Sequence, residues 1–211
     1  MAFSITEFKS NLKGGGARPS LFTVVLRYPS GVNTSTIPKS EFLVKGASIP
    51  TSTIGTYDVF FHGKAIHVAG DRIFETWDTT IINDEDYGIR IALEKWMDLV
   101  ADHKLNTRSK TFITKPSSSD IRKGGKEGEG ASYKQDIFVT QFGKDGKHKQ
   151  HYHFLGAFPT TISAIPLDWG TASEIEEYTV TWTYDRWMPG TITPKSPIHH
   201  LFPGDEHTSS T

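Results

Sequence analysis

The sequence contains no cysteine. Disulfides, thiolate metal sites and cysteine nucleophiles are thereby excluded. Neither sign of charge is in excess. The 23 Lys and Arg stand against 24 Asp and Glu, a formal net charge of −1, so no global field draws the chain to nucleic acid or to an acidic membrane. Long apolar runs are missing as well. None approaches the length needed to span a bilayer, and residues 1–13 lack the apolar stretch of a secretion leader.

The usual signatures of chemistry are also wanting. Gly14-Gly15-Gly16 precedes a strand pattern, no GK[ST] follows it, and Gly124-Gly125-Lys126 sits in a charged loop, so neither reads as a phosphate-binding loop. No G-x-S-x-G elbow is present. His151 and His153 would share one face of a strand, with His148 close by, but no carboxylate or cysteine lies at a matching offset, and polar histidines on a strand are the simpler reading. Asp84-Glu85-Asp86 suits the positive end of a helix better than a metal. Lys144, Lys147 and Lys149 suit a solvated hairpin tip. No catalytic residue, metal site or cofactor is expected, and the chain is not expected to be an enzyme.

What the sequence does have is aromatic residues. Thirteen Phe, seven Tyr and five Trp in 211 residues favour strands and interfaces over a helical bundle. Leu21 to Tyr28 reads as a strand, Glu41 to Ile49 as a second, and 51–56 as a loop. Tyr57 to Phe61 and Lys64 to Ala69 form a hairpin, Gly70-Asp71 marks a turn, and Ile73 to Ile82 is a further strand with neither face cleanly apolar. A helix starting near Asp84 carries Ile89, Leu93, Trp96 and Val100 as one stripe. Asp145-Gly146 joins Tyr133–Phe142 to His148–Phe154 as a hairpin. Thr161 to Leu167 is expected as a strand and Asp168-Trp169-Gly170 as a turn. In Thr179 to Trp187, Val180, Trp182 and Tyr184 share one face and threonines the other.

Three segments flank or interrupt this domain. Residues 1–16 form an amphipathic arm, in which Ser4-Ile5-Thr6-Glu7 has the form of a capping box and Ile5, Phe8 and Leu12 follow at helical spacing. Residues 115–131 are a polar insertion, and 189–211 a proline-rich tail expected to be extended or disordered. The fold class expected is mainly β, a barrel or sandwich with one flanking helix.

Several motifs then resemble, in order and spacing, the tail tube protein family of contractile-tailed phages. They are ARPSLF at 17–22, VAGDR at 68–72, Phe74 and Trp77, IINDED at 81–86, and Trp96. Tyr133-Lys134, GAFPT at 156–160, PLDW at 166–169, EIEEYTVT at 174–181 and Trp187 continue the match, which covers about 17–188. The resemblance implies a subunit whose strands join those of its copies in a ring of six. Stacked rings then form the inner tube of a contractile tail, a virion component made and assembled in the host cytoplasm. The tube gives DNA a passage that does not grip it, and its partners are the tail sheath and baseplate proteins, with no membrane involved.

On that implication, Phe60, Phe61, Ile66, Val68, Phe74 and Trp77 are expected at the contact between subunits. Ile5, Phe8, Leu12, Ser48, Ile49 and Pro50 are expected between rings, and Glu75 and Asp78 facing the lumen. Two other readings stay open: a baseplate tube initiator or secretion-system ring protein, and, more remotely, a monomeric β-barrel that binds a small ligand.

Overall fold

The alternation of Val180, Trp182 and Tyr184 with threonines builds the centre of the molecule. In a strand, successive side chains point to opposite faces, and these three are buried. The computed structural model describes residues 4–12, 15–29, 32, 37–101, 133–171 and 173–190. Within them the chain runs α1 (Ile5–Asn11), β1 (Phe22–Leu26), α2 (Ile37–Leu43), β2 (Val44–Ala47), β3 (Thr53–Phe61), β4 (Lys64–Ile73), β5 (Trp77–Ile82) and α3 (Gly88–Val100). It continues through β6 (Gln135–Phe142), β7 (His148–Ile162), β8 (Glu177–Thr183) and β9 (Arg186–Gly190).

Among the described residues, seven strands form one antiparallel sheet in the order β1-β6-β7-β8-β5-β2, with β9 also on β7, while β3 and β4 pair only with each other. The expected mainly-β class is what the chain adopts. Among the described residues no pairing joins β1 to β2, so the sheet is open and not a closed barrel. β7 organises it. Its first part pairs with β6 and β9, and its last residues pair with β8. The change of partner falls at Gly156, whose φ of +68° favours glycine, and where a Cβ would meet the Asp185 carboxylate.

One sheet face packs on α3 through Ile89, Ala92, Leu93 and Trp96. Trp96 stands edge-on to Trp182 at 5.7 Å between ring centroids, and its indole N–H donates to the Tyr133 carbonyl at 2.7 Å. Trp77 tilts against Phe154 at 4.4 Å. Burial pushes the phenols of Tyr28 and Tyr178 up from their ordinary range.

Several expectations need correction. α2 occupies the first half of the strand expected over 41–49, leaving β2 short. β3 begins at Thr53, inside the segment read as a loop. β4 runs straight through Gly70-Asp71. Gly70 serves a bulge instead of a turn: the register shifts between Ile54 and Thr56, and a Cβ on Gly70 would lie 3.2 Å from the Gly55 carbonyl oxygen. The acidic residues 84–86 lie in the turn before α3, not in its first turn, and Tyr87 takes the left-handed conformation at its N-cap. β7 extends to Ile162, after which 163–168 is not strand. Pro189 and Gly190 belong to β9 and not to a tail. The insertion 115–131 and the remainder of the tail, 191–211, lie outside the described residues.

Candidate functional site

The β3–β4 hairpin has sequence reasons to form and a large unburied face. His62 and Gly63 both have positive φ, 46° and 82°, the two-residue turn whose twist matches a hairpin. Cross-strand partners share a face, so the register puts Tyr57, Val59, Ile66 and Val68 together on one side. Thr56, Asp58, Phe60, Ala65, His67 and Ala69 occupy the other, where the His67 ring Nδ1 and the Asp58 carboxylate form a pair at 2.5 Å. The apolar side stays in solvent: Tyr57 is 56% exposed, Val59 47% and Ile66 50%. Phe60, Phe61, Ile54 and Ile73 are exposed as well. Exposed apolar patches on this scale mark association surfaces.

Although it leaves the sheet, the hairpin has a fixed root. The Trp77 indole N–H donates to the Ser48 carbonyl at 2.7 Å, and that of Trp187 to the Thr51 carbonyl at 3.1 Å. Both bonds hold the strand-to-hairpin segment just before β3. On the return side, Phe74 packs on the core beside Tyr184, at 6.1 Å between centroids.

The residues expected at the subunit contact therefore divide. Phe60, Phe61, Ile66 and Val68 lie on the hairpin, and Phe74 is part-buried at its root. Trp77 is 2% exposed, buried in its own subunit's core, and offers no surface of its own to a neighbour in this fold. Tyr57, Val59, Ile54 and Ile73, not among the residues expected there, extend the hairpin's exposed apolar surface, a feature the alternation Tyr57-x-Val59-x-Phe61 signals.

Of the residues expected between rings, Ile5 and Phe8 on α1 and Leu12 at its C-cap are exposed, and the helix buries none of its residues. The capping serine is in place: the Glu7 N–H donates to Ser4 Oγ at 3.3 Å. Ser48 and Ile49 are exposed, but Pro50 is buried within its own subunit and offers no surface.

Asp78 and Glu75 are both exposed. Asp78 accepts a hydrogen bond from Thr181 Oγ1 at 2.6 Å. Register places Asp78, Thr80 and Ile82 on one face with Thr181, Thr179 and Glu177. Lys45 is paired with Glu177 at 2.6 Å. The result is a hydroxyl-rich face of low net charge on the side of the sheet away from α3. Glu75 lies in the link between β4 and β5 instead.

The histidines form no metal site: among the described residues no three His, Cys, Asp or Glu side chains converge to hold an ion. His153 is buried, stacked on Phe138 at 4.5 Å, and its Nε2 lies 3.0 Å from Asp136 Oδ2, without the alignment of a good hydrogen bond. Burial, then the neighbouring His153 and His148, hold the His151 pKa below its ordinary value.

Comparison with known proteins adds a family. The profile described as phage tail tube protein matches residues 17–189. The tail tube protein gp19 of Enterobacteria phage T4 is 30% identical over 175 residues, 82% of this chain and 92% of that protein. Its counterpart in Enterobacteria phage T6 matches to the same extent. Among solved structures, a chain of the anti-feeding prophage baseplate aligns with a TM-score of 0.55 at 7% identity, covering 83% of this chain and 96% of its own. One from the tube-terminating cap of the same particle aligns at 0.51 and 16%, covering 84% and 92%. These two share the fold.

Proposed function

Since this chain belongs to the phage tail tube protein family, we propose that it is the structural subunit from which the inner tube of a contractile phage tail is built, six copies to a ring and rings stacked head to tail. The observation that carries the arrangement is the β3–β4 hairpin. Among the described residues it pairs with no other strand of its own subunit, and it keeps an apolar face in water. Laid against the next copy, it would complete a continuous wall and remove open strand edges. Burial of apolar area contributes about 25 cal/mol per Å2, and ordering costs offset much of it. The hexagonal count is supported by the fold's likeness to a baseplate described as 6-fold symmetrised.

The hydroxyl-rich face around Asp78, Thr80, Thr179 and Thr181 suits the lumen. A conduit for DNA works by not binding it, and a cationic wall would hold phosphates through released counterions. A face whose lysine is already paired with Glu177 provides no such grip. The tube's place is the virion tail, with the sheath outside and the baseplate at one end, after assembly in the host cytoplasm. The match to tail tube proteins favours the main tube over a baseplate initiator.

Electron microscopy and size-exclusion chromatography of the purified chain test this. Hollow rods or six-membered rings are the expected result. A species that stays at 23.5 kDa at every concentration would end the reading in favour of a monomeric protein.

A further inference from the structure

Antiparallel β7 separates two surfaces of opposite character. At about 3.3 Å per residue, its 15 residues hold them up to roughly 45 Å apart. At the His148 end, the β6–β7 turn and the base of the arm enclose a cleft of about 490 Å3, lined by Ala17, Arg18, Phe142, Lys144 and Lys149 among others. Lys144 Nζ donates to the Gly15 carbonyl at 3.3 Å, which ties arm to turn. The charge here is positive: Arg18, Lys144, Lys147 and Lys149 against Asp145, itself paired with Lys149 at 2.9 Å.

Past the Ile162 end lies the β7–β8 loop, 163–176. It holds Trp169 wholly in solvent, with Leu167 79% and Ile175 70% exposed. Asp168 and Glu174 flank them. The acidic turn 84–87 lies at this end too, because the Asn83 N–H donates to the Glu176 carbonyl at 2.8 Å and Tyr87 Oη donates to the Glu176 carboxylate at 3.1 Å. A fully exposed tryptophan is costly to leave in water and is the residue type that anchors interfaces.

We infer that the β7–β8 loop of one copy seats in the Arg18–Lys144–Phe142 cleft of the next copy along the tube axis, with Trp169 entering the cleft and the loop carboxylates meeting its basic rim. This rests on the stacked-ring reading and gives it a polarity. The partner is a second copy because the two surfaces complement each other in charge, an exposed aromatic among carboxylates against an apolar cleft with a basic rim, yet sit at opposite ends of one strand. No copy can satisfy itself, and a head-to-tail contact of this kind propagates without closing. The cleft volume lies within the range of about 300–1,000 Å3 that encloses small ligands, and Arg18 can cover an indole face.

Two charge-reversed variants test it. One carries Arg18→Glu and Lys144→Glu, the other Glu85→Lys and Glu174→Lys. Each alone is expected to form rings but to lose at least tenfold in rod yield by electron microscopy and pelleting. Mixed in equal amounts, the two should recover rods, because each offers the end the other lacks. Trp169→Ala, which changes no charge, should by itself cut rod yield severalfold. Undiminished rods from either reversed variant alone, from Trp169→Ala, or no recovery on mixing would overturn the contact and assign the loop to another protein such as the sheath. A wild-type chain that makes neither rings nor rods would instead sink the tube reading itself.

Discussion

Thr79 Oγ1 accepts the indole N–H of Trp182 at 2.9 Å, and both side chains are fully enclosed. The bond crosses the β5–β8 pairing diagonally, two residues off their Cα partners, Thr79 opposite Val180 and Trp77 opposite Trp182. A threonine on the core face of a strand is thus explained by the tryptophan it serves. Replacing it with valine keeps the shape and strands the indole N–H. The expected cost is about 1–3 kcal/mol by urea unfolding of the unassembled chain, with Thr79→Ser losing less.

Trp96 links α3 to the sheet through Trp182 and Tyr28 and donates to Tyr133. Trp96→Ala should destabilise by about 3–5 kcal/mol and weaken α3 first, visible as early hydrogen exchange over 88–100.

The hairpin should behave in the opposite way. Val59 and Ile66 face each other across β3 and β4, are half exposed and lie outside the core cluster. Changing both to Asp should move the melting of the unassembled chain by about 1 kcal/mol or less while abolishing rings in size-exclusion chromatography. Equal loss of stability and assembly would assign the face to the subunit's own fold.

Stability should also depend on pH through His151. Its pKa is lowered in the folded chain, first by burial and then by His153 and His148. As pH falls, the unfolded chain takes up this proton first. Stability should therefore decline as pH drops below about 6.5 and level off beneath the folded-state pKa. Thermal melts across this window, compared with His151→Gln, check it: the variant should lose part of the acid-side slope.

Much of this architecture is written in residue periodicity. The α3 stripe and the Val180-Trp182-Tyr184 face are legible because burial on one side forces a spacing of 3.6 or 2. The β6–β7 hairpin is legible because its turn needs glycine at Gly146, where φ is +73°. The glycine rule fails at Gly70, since bulges and turns demand the same residue. Trp77 fails for a different reason. An aromatic on a strand signals burial, but whether its own subunit or a neighbour buries it depends on topology that the local sequence does not encode. The same ambiguity hid Tyr57 and Val59, whose pattern is as apolar as that of any core strand. Pairings between distant segments, such as β5 with β8 and β1 with β6, leave no local trace either.

The two indole bonds that hold the start of the hairpin come from Trp77, deep in the core, and from Trp187, on the strand that follows β8. A copy whose interior had not closed could not aim its hairpin at anything. On the assembly proposed above, joining the wall would act as an inspection step: a defective chain would be refused a place because it could not present its connector. A conduit under load gains integrity from this without any separate proofreading machinery.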